Sequence, residues 1–370
     1  MAQSLYIVLI ALMLLASFSS AKDKYLRYIV IILITYLVGR GAETLDTQNY
    51  VYYYEYIKNN LYNNTYEKGF LYLQKLAHFL DWEYVEFRIA LTFLSYILIF
   101  HVVSRFSKGS LLPWLLYASF LIFIDTVQIR NLFAFSIVVY GIKFLFDNDD
   151  NDYLKYFKYI ITILIASTIH ISALAYLVFI ILYFRNNSKF IYVMSILTLV
   201  SCLFIFLVGN KIPLVYQLLE SLDSNRLDGY INQATRFGFL YAFVLHGFNL
   251  VMVWFALKIK KQQMSIATTE NDMYAYDIIK VILLINQIAI LFFPLYMVNL
   301  QFIRLSRNLL IINFIAYSLI QKPFLLQSFK LKSFNILLIL NLFSWYYFTF
   351  VVQDHVEDII EPFFADPDLL

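Results

Sequence analysis

Long apolar stretches recur along the chain, and several exceed the ~18 residues that suggest a membrane-spanning helix. Strands of a transmembrane barrel would instead be short and would alternate apolar with polar residues. Apolar residues make up 61% of the 370 positions and charged residues 14%, whereas soluble domains average about 45–50% and about 25%. The sequence therefore predicts an all-α, polytopic integral membrane protein, with apolar stretches at residues 4–21, 27–39, 88–103, 110–124, 130–146, 156–184, 190–208, 237–257, 278–297, 305–320 and 334–352.

Lysine and arginine residues in short loops set the orientation of such a protein, because they concentrate on the cytoplasmic side. The basic loops predicted to face the cytoplasm lie at residues 22–27, 105–108, 143–158, 185–189, 258–280 and 322–332. Both flanks of stretch 156–184 are basic, so this stretch must enter and leave on the same side. Its polar middle predicts two short helices that meet near His170. About twelve transmembrane helical segments result, with both chain termini outside.

Two long loops are predicted on the outer side of the membrane. Loop 40–87 contains two stretches with helical apolar spacing, 50–61 and 71–80, which predict amphipathic helices that lie on the membrane or cap a cavity. Loop 209–237 has a polar centre and a length that suits a lid. The sequence shows no soluble second domain, so residues 1–370 are interpreted as a single polytopic membrane domain.

Arg130 lies in an apolar stretch, within a short polar segment that begins at Asp125. A guanidinium group at membrane depth is costly, so it marks a candidate functional site and calls for an anionic partner. Asp125 is one candidate for that partner. Arginine grips phosphate through two hydrogen bonds, and it predominates among the basic residues predicted to lie outside, which indicates an anion site there. These arginines are Arg40, Arg88, Arg130, Arg226, Arg236, Arg304 and Arg307.

For Arg40 and Arg88, the alternative is that a long side chain at a helix end only reaches the membrane surface. His246 lies in the middle of another apolar stretch. It could line a cavity or pack in the core.

Several common catalytic and ligand-binding patterns are missing from the sequence. It has no Gly-rich phosphate-binding loop, no pair of histidines at metal-ligand spacing and no Gly-x-Ser-x-Gly turn. Its single cysteine, Cys202, cannot form an intrachain disulfide. We therefore expect no metal, no bound cofactor, no ATP hydrolysis and no nucleic acid partner.

Six short patterns follow one another between residues 46 and 363. They are Asp46-x3-Tyr50-x3-Tyr54, Glu67-Lys-Gly69-Phe70-x2-Leu73, Ile129-Arg130-Asn131-x2-Ala134, Ala166-x3-His170-x-Ser172-Ala173-Leu174, Phe302-x-Arg304 and Ile360-Glu361-Pro362-Phe363. In this order and spacing the chain resembles the EpsG family of Wzy-like polysaccharide polymerases, over nearly its whole length. Two positions depart from the family pattern. Asn131 stands where members tend to have glutamine, and Ile169 where they tend to have phenylalanine.

The resemblance implies a glycosyltransferase-C-like fold and a polymerisation reaction. Wzy-like enzymes join oligosaccharide repeat units carried on undecaprenyl pyrophosphate at the outer face of the bacterial cytoplasmic membrane. One lipid-linked oligosaccharide is the donor, a second is the acceptor, and the leaving group is a lipid pyrophosphate. Preorganised cations in a water-poor site would stabilise this leaving group, and a base would activate the acceptor hydroxyl. Membrane lipid, a flippase and a chain-length regulator are the expected partners.

The residue types then suggest roles. We predict that Arg130 clamps the pyrophosphate, with Arg304 or Arg307 as a second cation. His170 is the first candidate for the base, because a neutral imidazole can accept a proton, although it could also only hydrogen-bond the interrupted backbone. Glu67 and Asp46 are the alternative bases. Further substrate contacts are predicted for Arg307, Gln128, Asn131, Arg88, Arg226, Arg236 and Tyr50, and Gln128 and Asn131 could instead orient Arg130.

Two other functions share part of this pattern. A lipid-linked oligosaccharide flippase would also need a cationic cavity and about twelve helices, but it would tend to show related halves, which we do not find. A polysaccharide acyltransferase would need a histidine within reach of a cytoplasmic acyl donor, whereas our topology places His170 outside.

Overall fold

Helices make up nearly all of the computed structural model, which describes residues 2–18, 24–41, 44–58, 67–146, 152–184, 188–209, 237–266, 269–322 and 327–365, and no strand occurs among them. The α-helices are α1 Ala2–Phe18, α2 Lys24–Arg40, α3 Leu45–Lys58, α4 Lys68–Phe79, α5 Tyr84–Phe106, α6 Leu112–Ala118, α7 Leu121–Asp125, α8 Ile129–Phe146, α9 Asp152–Ser167, α10 Ser188–Leu207, α11 Phe239–Ile266, α12 Glu270–Ile288, α13 Phe293–Val298, α14 Arg304–Asn308, α15 Leu310–Ser318, α16 Phe329–Tyr346 and α17 Glu361–Phe364. 3-10 helices occupy Ile171–Phe184, Ala289–Phe292 and Leu300–Ile303, and π-helices occupy Tyr347–Val352 and Val356–Ile360.

Six of the described helices are long and apolar enough to cross a membrane. They are Tyr84–Phe106, Ile129–Phe146, Lys189–Leu207, Phe239–Ser265, Glu270–Val298 and Phe329–Val352, and shorter apolar helices occur at Ala2–Leu14, Leu112–Asp125 and Ile171–Phe184. The prediction of a helical membrane protein is confirmed. The count of twelve segments and their sidedness stay predictions.

The described helices form two compact units. The first comprises Met1–Leu177 and Phe314–Leu370, and the second comprises Val178–Asn313. The interpretation of residues 1–370 as a single polytopic membrane domain stays a prediction.

Helix α8 lies at the centre of the first unit, where it packs against α5 and α9. Buried residues occur all around it, from Ile129 to Phe146. Gly141 allows the close contact with α9, because a Cβ atom there would lie 2.3 Å from Oγ1 of Thr162. Since α8 is enclosed in this way, its first turn, which carries Arg130, is held in a fixed place.

The chain reverses direction between α9 and the 3-10 helix Ile171–Phe184, at residues 168–170. The hydroxyl of Tyr159 donates a hydrogen bond to the carbonyl of Tyr176 at 2.6 Å, and both residues lie about 10–12 Å along their helices from the break. The two helices therefore form a hairpin, with the predicted break near His170 at its tip. With 16 and 14 residues, they are about 24 Å and 28 Å long, close to the ~30 Å hydrocarbon core.

The two helices predicted within loop 40–87 are present as α3 and α4, and they pack against each other. Tyr54 of α3 is fully buried, and its hydroxyl donates to the carbonyl of Trp82 at 2.9 Å. Burial, followed by nearby glutamates including Glu55, raises the pKa of Tyr54 to about 12, so the hydroxyl stays protonated and able to donate. The ring of Tyr54 also stacks on Phe87 of α5, which fixes α3 against α5 within the first unit.

The second unit holds a buried polar network between its helices. His246 of α11 is 1% exposed, and its Nε2 donates to the carbonyl of Asn286 at 3.0 Å. The amides of Asn286 and Asn313 exchange hydrogen bonds of 2.7 and 3.2 Å. Of the two roles considered for His246, this placement favours core packing.

Candidate functional site

The first turns of three helices meet at one place in the first unit. Glu67 is the N-cap residue of α4, Arg130 lies in the first turn of α8, and Ile171 begins the 3-10 helix. The first amides of a helix have no partner within the helix, and its N-terminus carries a partial positive charge. Helix termini of this kind favour an anion at the place where Arg130 lies.

Glu67 joins the other two helices. Its Oε2 accepts a hydrogen bond from Nη1 of Arg130 at 2.8 Å, and its Oε1 accepts from the main-chain N–H of Ile171 at 2.9 Å. The side chains of Arg130 and Glu67 are 15% and 19% exposed, so the ion pair is largely shielded but still reachable. The expected anionic partner of Arg130 is thus found at Glu67.

Asp125 was the partner considered from the sequence, and the structure places it differently. Its Oδ2 accepts a hydrogen bond from the hydroxyl of Tyr117 at 2.5 Å, and this hydroxyl also bonds to that of Tyr96. The Asp125–Arg130 pairing stays a prediction, while Glu67 reaches Arg130 from a separate part of the chain.

The start of α4 docks onto the tip of the hairpin. The N–H groups of Gly69 and Phe70 donate to the carbonyl of Thr168 at 2.8 and 3.3 Å. A Cβ atom on Gly69 would lie 2.6 Å from that carbonyl oxygen and 2.3 Å from Oγ1 of the same threonine, so this approach requires glycine. The pattern Glu67-Lys-Gly69-Phe70 therefore places the Glu67 carboxylate at the break.

His170 caps the 3-10 helix that follows it. Its Nδ1 accepts from the main-chain N–H of Ser172 at 3.3 Å and lies 3.0 Å from the Ser172 hydroxyl. The ring is half-buried. Hydrogen bonding to the interrupted backbone, the alternative role considered for His170, is therefore present, and Ser172 is a residue to which sequence reasoning assigned no role. The spacing His170-x-Ser172 was its visible signal.

Arg88 does not lie at this meeting point. It is 2% exposed, and its guanidinium donates to the carbonyl of Val38 at 3.3 Å, to Oγ1 of Thr47 at 3.3 Å and to the carbonyl of Thr126. It thereby links α2, α3 and the turn before α8. This placement favours a structural role for Arg88 over contact with substrate. It also differs from the alternative that the side chain only reaches the membrane surface from a helix end.

Four further residues were predicted from the sequence to take part in the site. Gln128 and Asn131 flank Arg130, and Asn131 is 6% exposed. The ring of Tyr50 lies 6.4 Å from that of Phe70, and the Phe70 ring centroid lies 6.0 Å from the Arg130 guanidinium carbon. Asp46 is exposed in the first turn of α3. The structure thus brings Arg130, Glu67 and the segment that contains His170 together. The ring of Phe70 lies between Tyr50 and Arg130.

The remaining predicted arginines lie elsewhere. Arg304 and Arg307 both lie on α14 of the second unit, where Nε of Arg304 donates to the carbonyl of Gln301 at 3.0 Å and Arg307 is 6% exposed. Their role as a second cation stays a prediction from the sequence. Arg226, Arg236 and most of loop 209–237 lie outside the described residues. Within the described ranges, no group of three or more His, Cys, Asp or Glu side chains could hold a metal.

Comparison with known proteins gives one match. Neither a curated protein nor a solved structure matches the chain. The model of the EpsG family matches residues 24–362, a range that includes α2 to α16 and the residues Glu67, Arg130 and His170. The chain belongs to the EpsG family.

Proposed function

We propose that this protein is a membrane glycosyltransferase that polymerises oligosaccharide repeat units carried on undecaprenyl pyrophosphate. Its site faces the outer side of the bacterial cytoplasmic membrane. The observation that carries the proposal is the Arg130–Glu67 ion pair at three converging helix N-termini, in a helical membrane protein of the EpsG family. Membership in this family supports the polymerase reaction, and the geometry suggests how it is performed.

A lipid pyrophosphate is the leaving group of this reaction, so the site must stabilise negative charge as it develops. Helix N-termini favour anions through their unpartnered amides and their dipoles. A guanidinium adds a full charge and two parallel donors, and such groups act most strongly where water is excluded. Arg130 combines these features, because it lies in the first turn of α8 and is 15% exposed.

Glu67 holds the anion position when no substrate is bound. Arrival of the diphosphate at Arg130 displaces the Glu67 carboxylate, which then lies beside the reacting groups. Glu67 takes the proton from the acceptor hydroxyl, and the hydroxyl oxygen forms a bond to the anomeric carbon of the donor. The bond between that carbon and the diphosphate oxygen breaks, its electron pair leaves with the diphosphate, and Glu67 passes its proton to solvent.

The supply of substrate and the control of chain length then fall to partner proteins. A flippase would deliver the lipid-linked units to the outer leaflet, and a chain-length regulator would limit the product. Donor and acceptor are two molecules of the same kind of lipid-linked oligosaccharide, so the site must hold both of them during each transfer.

The experiment that tests the proposal uses purified protein and a synthetic undecaprenyl-pyrophosphate-linked repeat unit, with the products sized on a gel. We expect a ladder of lipid-linked polymers. A strain that lacks the protein should accumulate single repeat units on the outer leaflet of the membrane. No ladder, together with accumulation on the inner leaflet, would show that the protein is a flippase and would overturn the polymerase assignment.

A further inference from the structure

The hydrogen bonds of His170 determine which ring nitrogen carries its proton. A main-chain N–H can only donate, and the N–H of Ser172 points at Nδ1 of His170 at 3.3 Å. Nδ1 must therefore present a lone pair, and in a neutral imidazole the proton then resides on Nε2. The Ser172 hydroxyl, 3.0 Å from the same nitrogen, can add a second donor to Nδ1.

This tautomer is unsuited to a general base. A base that acts through Nε2 needs a lone pair on that nitrogen, and the proton would then have to sit on Nδ1. An N–H group at Nδ1 would face the N–H of Ser172, donor against donor. The hydroxyl of Ser172 could rotate to accept this proton, but the main-chain amide cannot, so the arrangement at the start of the 3-10 helix would have to open.

His170 and Glu67 bind neighbouring main-chain amides. Glu67 accepts from the N–H of Ile171, and His170 accepts from the N–H of Ser172, so these two side chains cap consecutive amides of one helix. Glu67 also pairs with Arg130 at 2.8 Å. We therefore expect an anion that replaces the carboxylate of Glu67 at Arg130 to arrive near the imidazole.

We infer that Ser172 holds His170 as an Nε2–H hydrogen-bond donor to the departing diphosphate, while Glu67 acts as the base. The inference rests on the proposed function and deepens it, because it assigns the two candidate bases to different tasks. His170 transfers no proton in this step. Ser172 is a positioning residue that acts through the imidazole.

Two substitutions of His170 separate the roles. The amide of glutamine can place an N–H donor near the position of Nε2, whereas asparagine is a good helix N-cap but does not reach that far. We expect His170→Gln to retain kcat within about tenfold of the wild type, and His170→Asn to lose about 10²–10³-fold, the usual loss when one donor to a developing anion is removed. The assay is elongation of the synthetic lipid-linked repeat unit, with kcat and KM measured for each variant.

The reverse order would overturn the inference. Higher activity in His170→Asn than in His170→Gln would show that the residue only caps the helix. An equal loss of about 10²–10⁴-fold in both, with loss of the acidic limb of the pH–rate profile, would show that His170 is the base.

A measurement that does not depend on activity tests the tautomer. NMR of protein labelled with ¹⁵N-histidine distinguishes protonated from unprotonated ring nitrogens, and the signals absent from His170→Gln identify His170. We expect an unprotonated Nδ1 in the wild type, and a protonated Nδ1 would refute the inference. If wild-type protein elongates nothing, the polymerase assignment fails, and the NMR result still decides the tautomer.

Ser172→Ala removes the hydroxyl but keeps the main-chain donor. We expect a lower kcat with little change in KM, because the imidazole loses its second hydrogen-bond partner, and an Nδ1 that stays unprotonated, because the main-chain N–H still faces it. Ser167→Ala is the matched control, because Ser167 lies on the same hairpin and its hydroxyl donates to the carbonyl of Leu164 within its own helix. Equal effects of both substitutions on kcat, or a protonated Nδ1 in Ser172→Ala, would contradict the inference.

Discussion

Glu67 takes part in contacts with two helices other than its own, through its bonds to Arg130 and to the amide of Ile171. A charge held in a shielded place is costly unless it is paired, so this carboxylate balances Arg130 in the absence of substrate. A diphosphate brings at least as much negative charge to the same donors. Exchange of one anion for the other is therefore electrostatically feasible, and it would free Glu67 for proton transfer.

Glu67→Gln tests this residue. Glutamine keeps an oxygen that can accept from Ile171 but loses the charge and most of the basicity. We expect kcat to fall by about 10²–10⁴-fold, the usual contribution of a general base, while the protein still reaches the membrane. Glu357→Gln is the control, because Glu357 is exposed on the C-terminal π-helix, and it should keep normal turnover. Normal turnover in Glu67→Gln would exclude this residue as the base.

At this scale the sequence predicted Arg130 and Glu67 as site residues, but it did not predict that they form an ion pair. Arg130 was evident because a guanidinium in an apolar stretch is costly wherever the chain folds. Its partner depends on which distant segments pack together, and sequence reasoning considered the nearby Asp125. Glu67 is 63 positions away, so its pairing with Arg130 follows from the tertiary fold.

The hairpin tip and the start of α4 form one structural element of the site. The start of α4 donates to the hairpin tip, since the amides of Gly69 and Phe70 bond to the carbonyl of Thr168. The tip donates in return, since the main-chain N–H of Ile171 bonds to the Glu67 carboxylate. The break near His170 was predictable because its polar residues lie between two apolar stretches with basic flanks. The docking of α4 onto the break was not predictable. Gly69 permits this close contact only because Thr168 lies next to it in the fold, and the sequence does not show that the two residues are neighbours.

Gly69→Ala should separate these two segments. The new Cβ atom would lie 2.6 Å from a backbone oxygen, and overpacking of this kind usually costs about 1–3 kcal/mol. We expect a lower thermal unfolding midpoint in detergent and a loss of polymer. Gly247→Ala is the matched control, because a Cβ atom on this helical glycine meets nothing within 4 Å, and it should leave both properties unchanged. An unfolding midpoint equal to that of the wild type in Gly69→Ala would refute the tight docking.

The predicted orientation of the whole molecule in the membrane rests on the distribution of its basic loops. The general class was predictable from apolar length and composition, since lipid sets the length of any spanning helix. Six described helices meet that requirement. The division into two units was not predictable, because it depends on which helices pack together rather than on where each begins and ends.

Cysteine labelling tests the predicted sidedness. In a Cys202→Ser background, Lys75→Cys on exposed α4 should react with a membrane-impermeant maleimide in intact cells. Lys330 is exposed at the start of α16, within the loop 322–332 that is predicted to be cytoplasmic. A cysteine at this position (Lys330→Cys) should react only after the cells are opened. Reaction at position 330 in intact cells, or none at position 75, would contradict the predicted orientation and an outward-facing site.

Polymer formation by Arg130 variants tests the central claim most directly. Arg105 is the matched control, because it lies near the other end of the α5–α8 pair, where Phe106 contacts Phe146 at 4.7 Å between ring centroids. With purified proteins and the synthetic lipid-linked repeat unit, we predict no polymer from Arg130→Ala, reduced polymer from Arg130→Lys and a normal ladder from Arg105→Ala. A normal ladder from Arg130→Ala would contradict the account.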